Sequence, residues 1–357
     1  ESASDELVQL ERPAEISVMA PMRDGVRLQT WINLPPGDGP FPTVLTRTPY
    51  MLSANNRQNP YTDACLAAGY AVVWQVTRGM GPSEGNYRFL RDDRNDGYDC
   101  VEWIADQPWS DGNVGMDHGS YNGITQLLAA MMNPPALKAI IPFVPSAHFF
   151  REVPVTGNFD PSIGTLHAWR SLEANAPNPQ NRKLLIGPWT HGTSYTGTPS
   201  EVPPYDFNGE GQVDMSAMRI AFYDRYLKGQ QPGVSLPQRV RVFLTGSNVW
   251  REFDNMPVPQ RRVTSFYLDS GGGANSASGN GVLGHGSGSG AASDTVLSDP
   301  RNPVVFVSDL MLGVADYQDA LQSQDVLVYD TPPLEEPLTF IGESRAVANA
   351  EAKSAMV

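Results

Sequence analysis

The chain is poor in cysteine, with only Cys65 and Cys100 in 357 residues. Two such thiols neither build a disulfide framework nor match the spacing of a metal site, and both fall in stretches that read as helix. They are expected as small buried side chains. A basic cluster is also missing. Lys and Arg number 25 against 39 Asp and Glu, a net charge of −14, so nucleic acid and anionic membrane surfaces are not expected partners. Long apolar runs are absent as well: the stretch 136–144 is broken by Lys138 and Pro142, far short of the roughly 20 residues that cross a bilayer. There is no internal repeat. What remains is a chain with 40% hydrophobic and 9% aromatic residues, long enough for two buried cores. It begins at Glu1, not Met, and its polar residues 1–6 read as an end left by processing. A secreted or periplasmic location is expected from this, with the cytoplasm as the alternative.

The first two thirds alternate strand and helix signals. Residues 15–22, 27–34 and 43–47 are β-branched and apolar, with Arg23-Asp24-Gly25 as a hairpin link of the primed kind. A short helix is expected over 61–68 and a strand over 70–76. In 93–107, Tyr98, Val101, Ile104 and Ala105 recur at helical spacing until Pro108 stops the run. Then come a buried strand at 114–116, a helix over 121–132, and strands at 139–144 and 184–187 that extend the same sheet. A closing helix is expected over 215–227. This order predicts an α/β fold with a mostly parallel sheet covered on both faces.

Beyond residue 230 the texture turns β-rich, with strand candidates at 239–245, 265–268, 304–307, 326–329 and 338–341 and no convincing helix. Residues 271–290 are mostly Gly, Ser, Ala and Asn and read as a mobile surface loop. The expected domains are 1–232, catalytic, and 233–357, β-rich.

Chemistry concentrates in Gly115-Met116-Asp117-His118-Gly119-Ser120-Tyr121-Asn122-Gly123. A strand end, a turn of small residues and a helix start suit a nucleophile elbow, where strand and helix approach too closely for large neighbours. Ser120 would then sit at a helix N-terminus, where backbone N–H groups favour developing negative charge. An ordinary glycine-rich loop is the plainer alternative. In this fold the acid and the histidine follow the nucleophile on later loops. Asp160, after the short segment 155–159, and His191, just beyond the strand at 184–187, meet that order outside the carboxyl ends of the strands. Asp206 is the reserve choice for the acid.

Several motifs carry a resemblance. Arg47-Thr48-Pro49-Tyr50, Arg78-Gly79 with Ser83-Glu84-Gly85, Gln107-Pro108-Trp109-Ser110-Asp111-Gly112, Gly119-Ser120-Tyr121 and Gly187-Pro188-Trp189-Thr190-His191-Gly192 resemble the cocaine esterase and X-Pro dipeptidyl-peptidase family of α/β-hydrolases. That family also holds α-amino acid ester hydrolases and glutaryl acylases. Asn248-Val249-Trp250-Arg251, 270–276 and 325–329 resemble its C-terminal jelly roll. The resemblance implies an α/β-hydrolase sheet followed by a smaller jelly-roll-like domain, and a triad of Ser120, Asp160 and His191. It also implies an oxyanion hole from the Tyr50 hydroxyl and the Tyr121 amide. Trp189 and His118 would face the substrate. Tyr50 could instead be a plain aromatic under the sheet edge.

Three departures stand out. His118 occupies the place of the family's usual small glycine, so either the turn is strained or the side chain points into the site. The family's helical cap has no counterpart, because only 145–156 separates the strand at 139–144 from the acid-bearing loop. The jelly roll is short of the roughly eight strands usual for that architecture. The reaction implied is hydrolysis of a carboxylic ester or amide through an acyl-enzyme, with no metal or cofactor. The partners expected are a small-molecule substrate and a second copy of the chain in a homo-oligomer. Release of X-Pro dipeptides is the competing enzymatic reading, and a non-catalytic binding protein on a hydrolase scaffold is the competing reading of another class.

Overall fold

A computed structural model describes residues 15–145, 161–198, 206–286, 292–297, 299, 301–304 and 318–342. Asp160, the polar start 1–6, the connection 146–156 and most of the strand expected at 304–307 lie outside the described residues.

Strands β1 (Ile16–Pro21) and β2 (Arg27–Asn33) form the expected hairpin, from Pro21 opposite Arg27 to Ile16 opposite Ile32. The turn itself differs. The Gly25 amide donates to the Met22 carbonyl at 2.9 Å, and only Gly25 in this link has a positive φ, 84°. Asp24 stays at negative φ, so this is a type I turn followed by a left-handed glycine, not a primed turn.

β3 (Phe41–Thr48), β4 (Ala71–Val76), β5 (Ser110–Met116) and β6 (Leu137–Ile140) complete a six-stranded sheet of order β1-β2-β4-β3-β5-β6. The pairs β4–β3, β3–β5 and β5–β6 are parallel. Alternation along the strands divides their side chains between two cores. Leu45 and Val73 pack with Val101, Ile104 and Met116, under α3 (Asp93–Ala105) and α4 (Tyr121–Ala130). Val44, Val72 and Trp74 pack with Cys65 and Tyr223 on the other face, under α2 (Pro60–Ala67). The short α1 (Ala54–Arg57), begun by a Ser53 capping box, precedes α2. Both cysteines are free and buried, and burial pushes each thiol up to about 12.

α5 (Pro161–Asn175) leads to β7 (Leu184–Ile186). This strand was expected in the main sheet. It pairs instead in parallel with β8 (Val240–Leu244), whose other edge carries β9 (Val249–Phe253) antiparallel. Their apolar faces build a third core of Leu166, Trp169, Leu184, Val240, Val242 and Met256. The boundary expected at 232/233 therefore falls between two strands of one sheet. α6 (Met215–Tyr226) returns to the main sheet, placing Tyr223 in its second core.

The last part departs further from expectation. β10 (Tyr267–Asp269) and β11 (Val282–Gly284) pair antiparallel. Residues 326–329 contribute only a bridge at Leu327, residues 338–341 form no strand, and the four-residue helix α7 (Gln318–Leu321) was not anticipated. The described part of 271–290 is not a featureless loop: it holds β11, and Asn275 Nδ2 donates to the Thr295 and Gln324 carbonyls at 2.8 and 2.7 Å. Polar side chains supply order there that composition, which speaks only for apolar burial, does not reveal. Among the described residues no helix is long and apolar enough to cross a membrane, and no cluster of potential metal ligands occurs.

Candidate active site

β5 ends at Met116, and four residues carry the chain to α4. Two of them, His118 (φ 95°) and Ser120 (φ 60°, ψ −131°), hold positive φ without being glycine. Each such residue stores about 1–3 kcal/mol of strain and persists only where its surroundings over-determine it. Those surroundings are explicit. The Ser120 amide donates to the Phe143 carbonyl at 3.1 Å, and Gly119 pairs with Phe143 in a parallel bridge. A Cβ on Gly119 would lie 2.7 Å from Phe143 Cδ2 and 2.9 Å from its carbonyl oxygen, so the position needs the smallest residue. Gln126 Nε2 donates to the His118 carbonyl at 2.7 Å.

Ser120 occupies the N-cap position of α4, yet its side chain caps nothing. Its hydroxyl is half-buried and makes no hydrogen bond among the described residues. The amide of Tyr121, the first residue of α4, has no intrahelical acceptor and lies at the positive end of the helix dipole.

Ser120 opens on a cleft of about 360 Å³ walled by Tyr50, Met80, Tyr87, Phe89, Tyr121 and Ile124. Among the described residues no charged side chain lines it. The Tyr121 ring meets Tyr50 edge-on at 6.4 Å and Phe89 at 5.6 Å. Its hydroxyl is engaged, donating to Asp93 Oδ2 at 2.8 Å. Burial pushes the Asp93 carboxyl above its ordinary range. Tyr50 is 50% exposed, which leaves its ring at the cleft mouth.

His191 follows β7 on a loop pinned by reciprocal bonds, Thr190 N–H to Thr193 Oγ1 at 2.9 Å and Thr193 N–H to Thr190 Oγ1 at 3.2 Å. Ser194 Oγ donates to the His191 carbonyl at 2.8 Å. The imidazole lies 6.4 Å from the Tyr195 ring, and Tyr195 lies 4.7 Å from Phe143, whose carbonyl holds Ser120. Ring contacts from His191 to Tyr195 and from Tyr195 to Phe143 thus connect the histidine with the elbow, and no hydrogen bond joins it to Ser120. Burial lowers its basicity, and its Nδ1 is buried without a partner among the described residues. An orphaned buried nitrogen of this kind costs about 1–3 kcal/mol. Asp206 does not relieve it: that carboxylate is exposed and takes the Asn208 amide at 2.7 Å.

His118 and Trp189, the two residues expected to face substrate, do not line the cleft at Ser120. His118 meets the first of its alternatives: its backbone is strained, and its half-buried ring packs among Trp74, Phe143 and Tyr195, at centroid distances of 5.5, 6.0 and 4.8 Å. Its Nδ1 pairs with Asn122 Nδ2 at 3.0 Å, and burial holds it down to about 4, so it is neutral at pH 7. Trp189 donates from Nε1 to the Gly211 carbonyl at 3.1 Å and lines a separate cavity of about 210 Å³ beside β7.

Sequence reasoning missed one group entirely. Asp117, 1% exposed, pairs with Arg219 of α6 and accepts a hydrogen bond from the Tyr61 hydroxyl. The only sequence signal was a lone Asp directly behind the apolar Val114-Gly115-Met116.

Comparison with known proteins gives this geometry a family. The X-Pro dipeptidyl-peptidase (S15 family) model matches residues 24–159, and the X-Pro dipeptidyl-peptidase C-terminal non-catalytic domain model matches residues 232–355. The cocaine esterase of Rhodococcus sp. (strain MB1 Bresler) is 27% identical over 439 residues, which covers 91% of this chain and 75% of the relative. That aligned stretch is longer than the whole chain, so the relative carries residues within it that this chain lacks. Among solved structures, an α-amino acid ester hydrolase superposes with a TM-score of 0.64 at 22% identity, covering 90% of this chain and 73% of the other. An aminopeptidase from a marine sediment archaeon, Thaumarchaeota archaeon, gives 0.60 at 21%, covering 90% and 72%. At such identities the structures speak for the fold alone. With the two family models in tandem along the chain and the elbow at the end of β5, the protein belongs to the cocaine esterase and X-Pro dipeptidyl-peptidase family of α/β-hydrolases.

Proposed function

We propose that the protein is a serine esterase that cleaves small carboxylic esters through an acyl-enzyme, with Ser120 as nucleophile, His191 as general base and Asp160 as the group that orients the histidine. The observation that carries this reading is the strained, uncapped Ser120 at the start of α4, open to an apolar cleft. In the first half-reaction His191 takes the Ser120 proton as Oγ bonds to the acyl carbon. The carbonyl π electrons move onto oxygen, where the Tyr121 amide and the Tyr50 hydroxyl receive the charge. Collapse expels the alcohol, which collects the proton from His191. Water then repeats the sequence and releases the acid. The unpaired Nδ1 of His191 supports a carboxylate partner, because a buried imidazolium formed during the reaction needs one.

Release of X-Pro dipeptides requires a negative group for the substrate amine, and among the described residues the cleft at Ser120 is lined by no charged side chain. A neutral, apolar acyl group suits it better. Intact mass after treatment with a fluorophosphonate tests the assignment. One adduct, absent from Ser120→Ala, is expected, and labelling that survives the substitution would remove Ser120 from the mechanism. It would leave the non-catalytic scaffold as the better reading.

A further inference from the structure

The residue just behind the elbow, Asp117, carries its carboxyl group in a nearly closed environment. Asp117 Oδ1 accepts from Arg219 Nη2 at 2.7 Å and from the His118 amide at 2.5 Å, while Arg219 Nε lies 3.1 Å from both carboxylate oxygens. The Tyr61 hydroxyl donates to Oδ2, and burial pushes that phenol well above its ordinary value, so it stays a donor. Arg219 is 4% exposed and stacks over the Tyr61 ring at 3.4 Å and, more distantly, over Phe143 at 5.1 Å. This one cluster therefore touches both sides of the turn: the His118 amide that enters it, and the Phe143 residue whose carbonyl holds Ser120.

A buried ion pair is by itself weak evidence of a stabilising role. Removing two charges from water costs several kcal/mol per ion, and well-packed apolar replacements of similar size are often neutral or stabilising. What an apolar pair cannot supply is an acceptor for the His118 amide. That amide belongs to a residue at φ 95°, and the conformation it fixes feeds directly into Ser120 at φ 60°. We infer that Asp117, held by Arg219 and Tyr61, is the positioning group of the elbow: it clamps the His118 amide so that the Ser120 hydroxyl and the Tyr121 amide meet the acyl carbon in reactive alignment. The inference rests on Ser120 being the nucleophile. Asp117 itself touches no substrate, since it is buried behind the turn.

The clamp acts on attack geometry and not on the apolar cleft, so its loss should appear in kcat and leave KM nearly unchanged. The test compares the parent with Asp117→Leu/Arg219→Met, which removes both charges together, and with Tyr61→Phe, which removes one donor and strands no charge. The expected result for the double variant is a folded protein with Tm near the parent, a 30- to 300-fold lower kcat and phosphonylation rate, and KM within about twofold. Tyr61→Phe should lose three- to tenfold in kcat with the same KM. A folded double variant with kcat within threefold of the parent would overturn the inference and leave the pair a packing element. If the double variant does not fold, an unchanged kcat in Tyr61→Phe has the same meaning. Ser120→Ala measured alongside separates the two readings: retained activity there removes the nucleophile and the clamp together, whereas loss there with unchanged clamp variants removes only the clamp.

Discussion

At the scale of single residues, Ser120 and His118 share an unusual backbone and differ in everything else. Ser120→Ala is expected to abolish turnover of short p-nitrophenyl esters with Tm within a degree or two, because its side chain makes no bond that stabilises the fold. Paired steady-state kinetics and thermal melts check this. For the acid, Asp160→Asn should lower kcat by up to about four orders of magnitude by favouring the wrong histidine tautomer. A loss below tenfold would point to a different carboxylate. His118 makes a pH prediction. Its imidazole is held at about 4 by burial, against an ordinary 6.5, so between those values the unfolded chain takes up a proton that the folded chain refuses. Stability is therefore lost as pH falls through that window, by about 3 kcal/mol at the lower end. In His118→Gly the strained φ becomes easy, and the aromatic packing and the proton penalty disappear together. Tm at pH 7 should drop, its further fall toward pH 4.5 should be shallower than in the parent, and esterase activity should persist. Complete loss of activity would assign the imidazole a direct role.

At the scale of elements, the elbow was legible because its constraint is steric and local: a β-strand turning sharply into a helix requires small residues, and Gly119 and Gly123 are visible in the sequence. Gly119→Ala is the matching prediction. The new methyl would press on Phe143, which cannot retreat without releasing the Ser120 amide, so kcat should fall at least tenfold and Tm by several degrees in a melt. The clamp behind the elbow was illegible for the opposite reason. Asp117, Arg219 and Tyr61 come from three elements far apart in the chain, and no local pattern announces a long-range ion pair. The same limit explains β7. Its apolar triplet Leu184-Leu185-Ile186 read correctly as a buried strand, but which edge it joins depends on β8, more than fifty residues later. The 271–290 stretch failed differently, because the Asn275 side-chain amide donates to the Thr295 carbonyl and the Asp294 carboxylate accepts from the Ala274 amide, ordering a segment with little to bury.

At the scale of the whole molecule, the proposed reading leaves little material to roof the cleft at Ser120, because only 145–156 separates the strand expected at 139–144 from the loop that bears Asp160. Pockets that hold small ligands well cover about 70–90% of the ligand surface. Weak saturation with acetyl esters and better kcat/KM with bulky aryl esters are expected in steady-state assays. Micromolar KM for a small ester, with bulky ones excluded, would mean that another segment or a second copy covers the site. A chain stopped at residue 232 provides a second test, since it deprives β7 of β8 and the third core of Val240, Val242 and Met256. It should lose esterase activity and phosphonylation even if the main sheet still folds, as circular dichroism would report.

The attachment of β7 to β8 also changes what an inactivation experiment measures. The proposed nucleophile and base hang from different sheets: Ser120 from the six-stranded one, His191 from the three-stranded one. Regions of a protein open with different free energies, and the smaller sheet, with one short parallel contact at β7, has less to hold it closed. Moderate heat or denaturant that loosens only that sheet would pull the base away while spectroscopic signals dominated by the larger sheet remain intact. Residual activity would then be a gauge of the smaller sheet alone, and shelf life would be extended most by reinforcing the seam between β7 and β8, with nothing altered around Ser120.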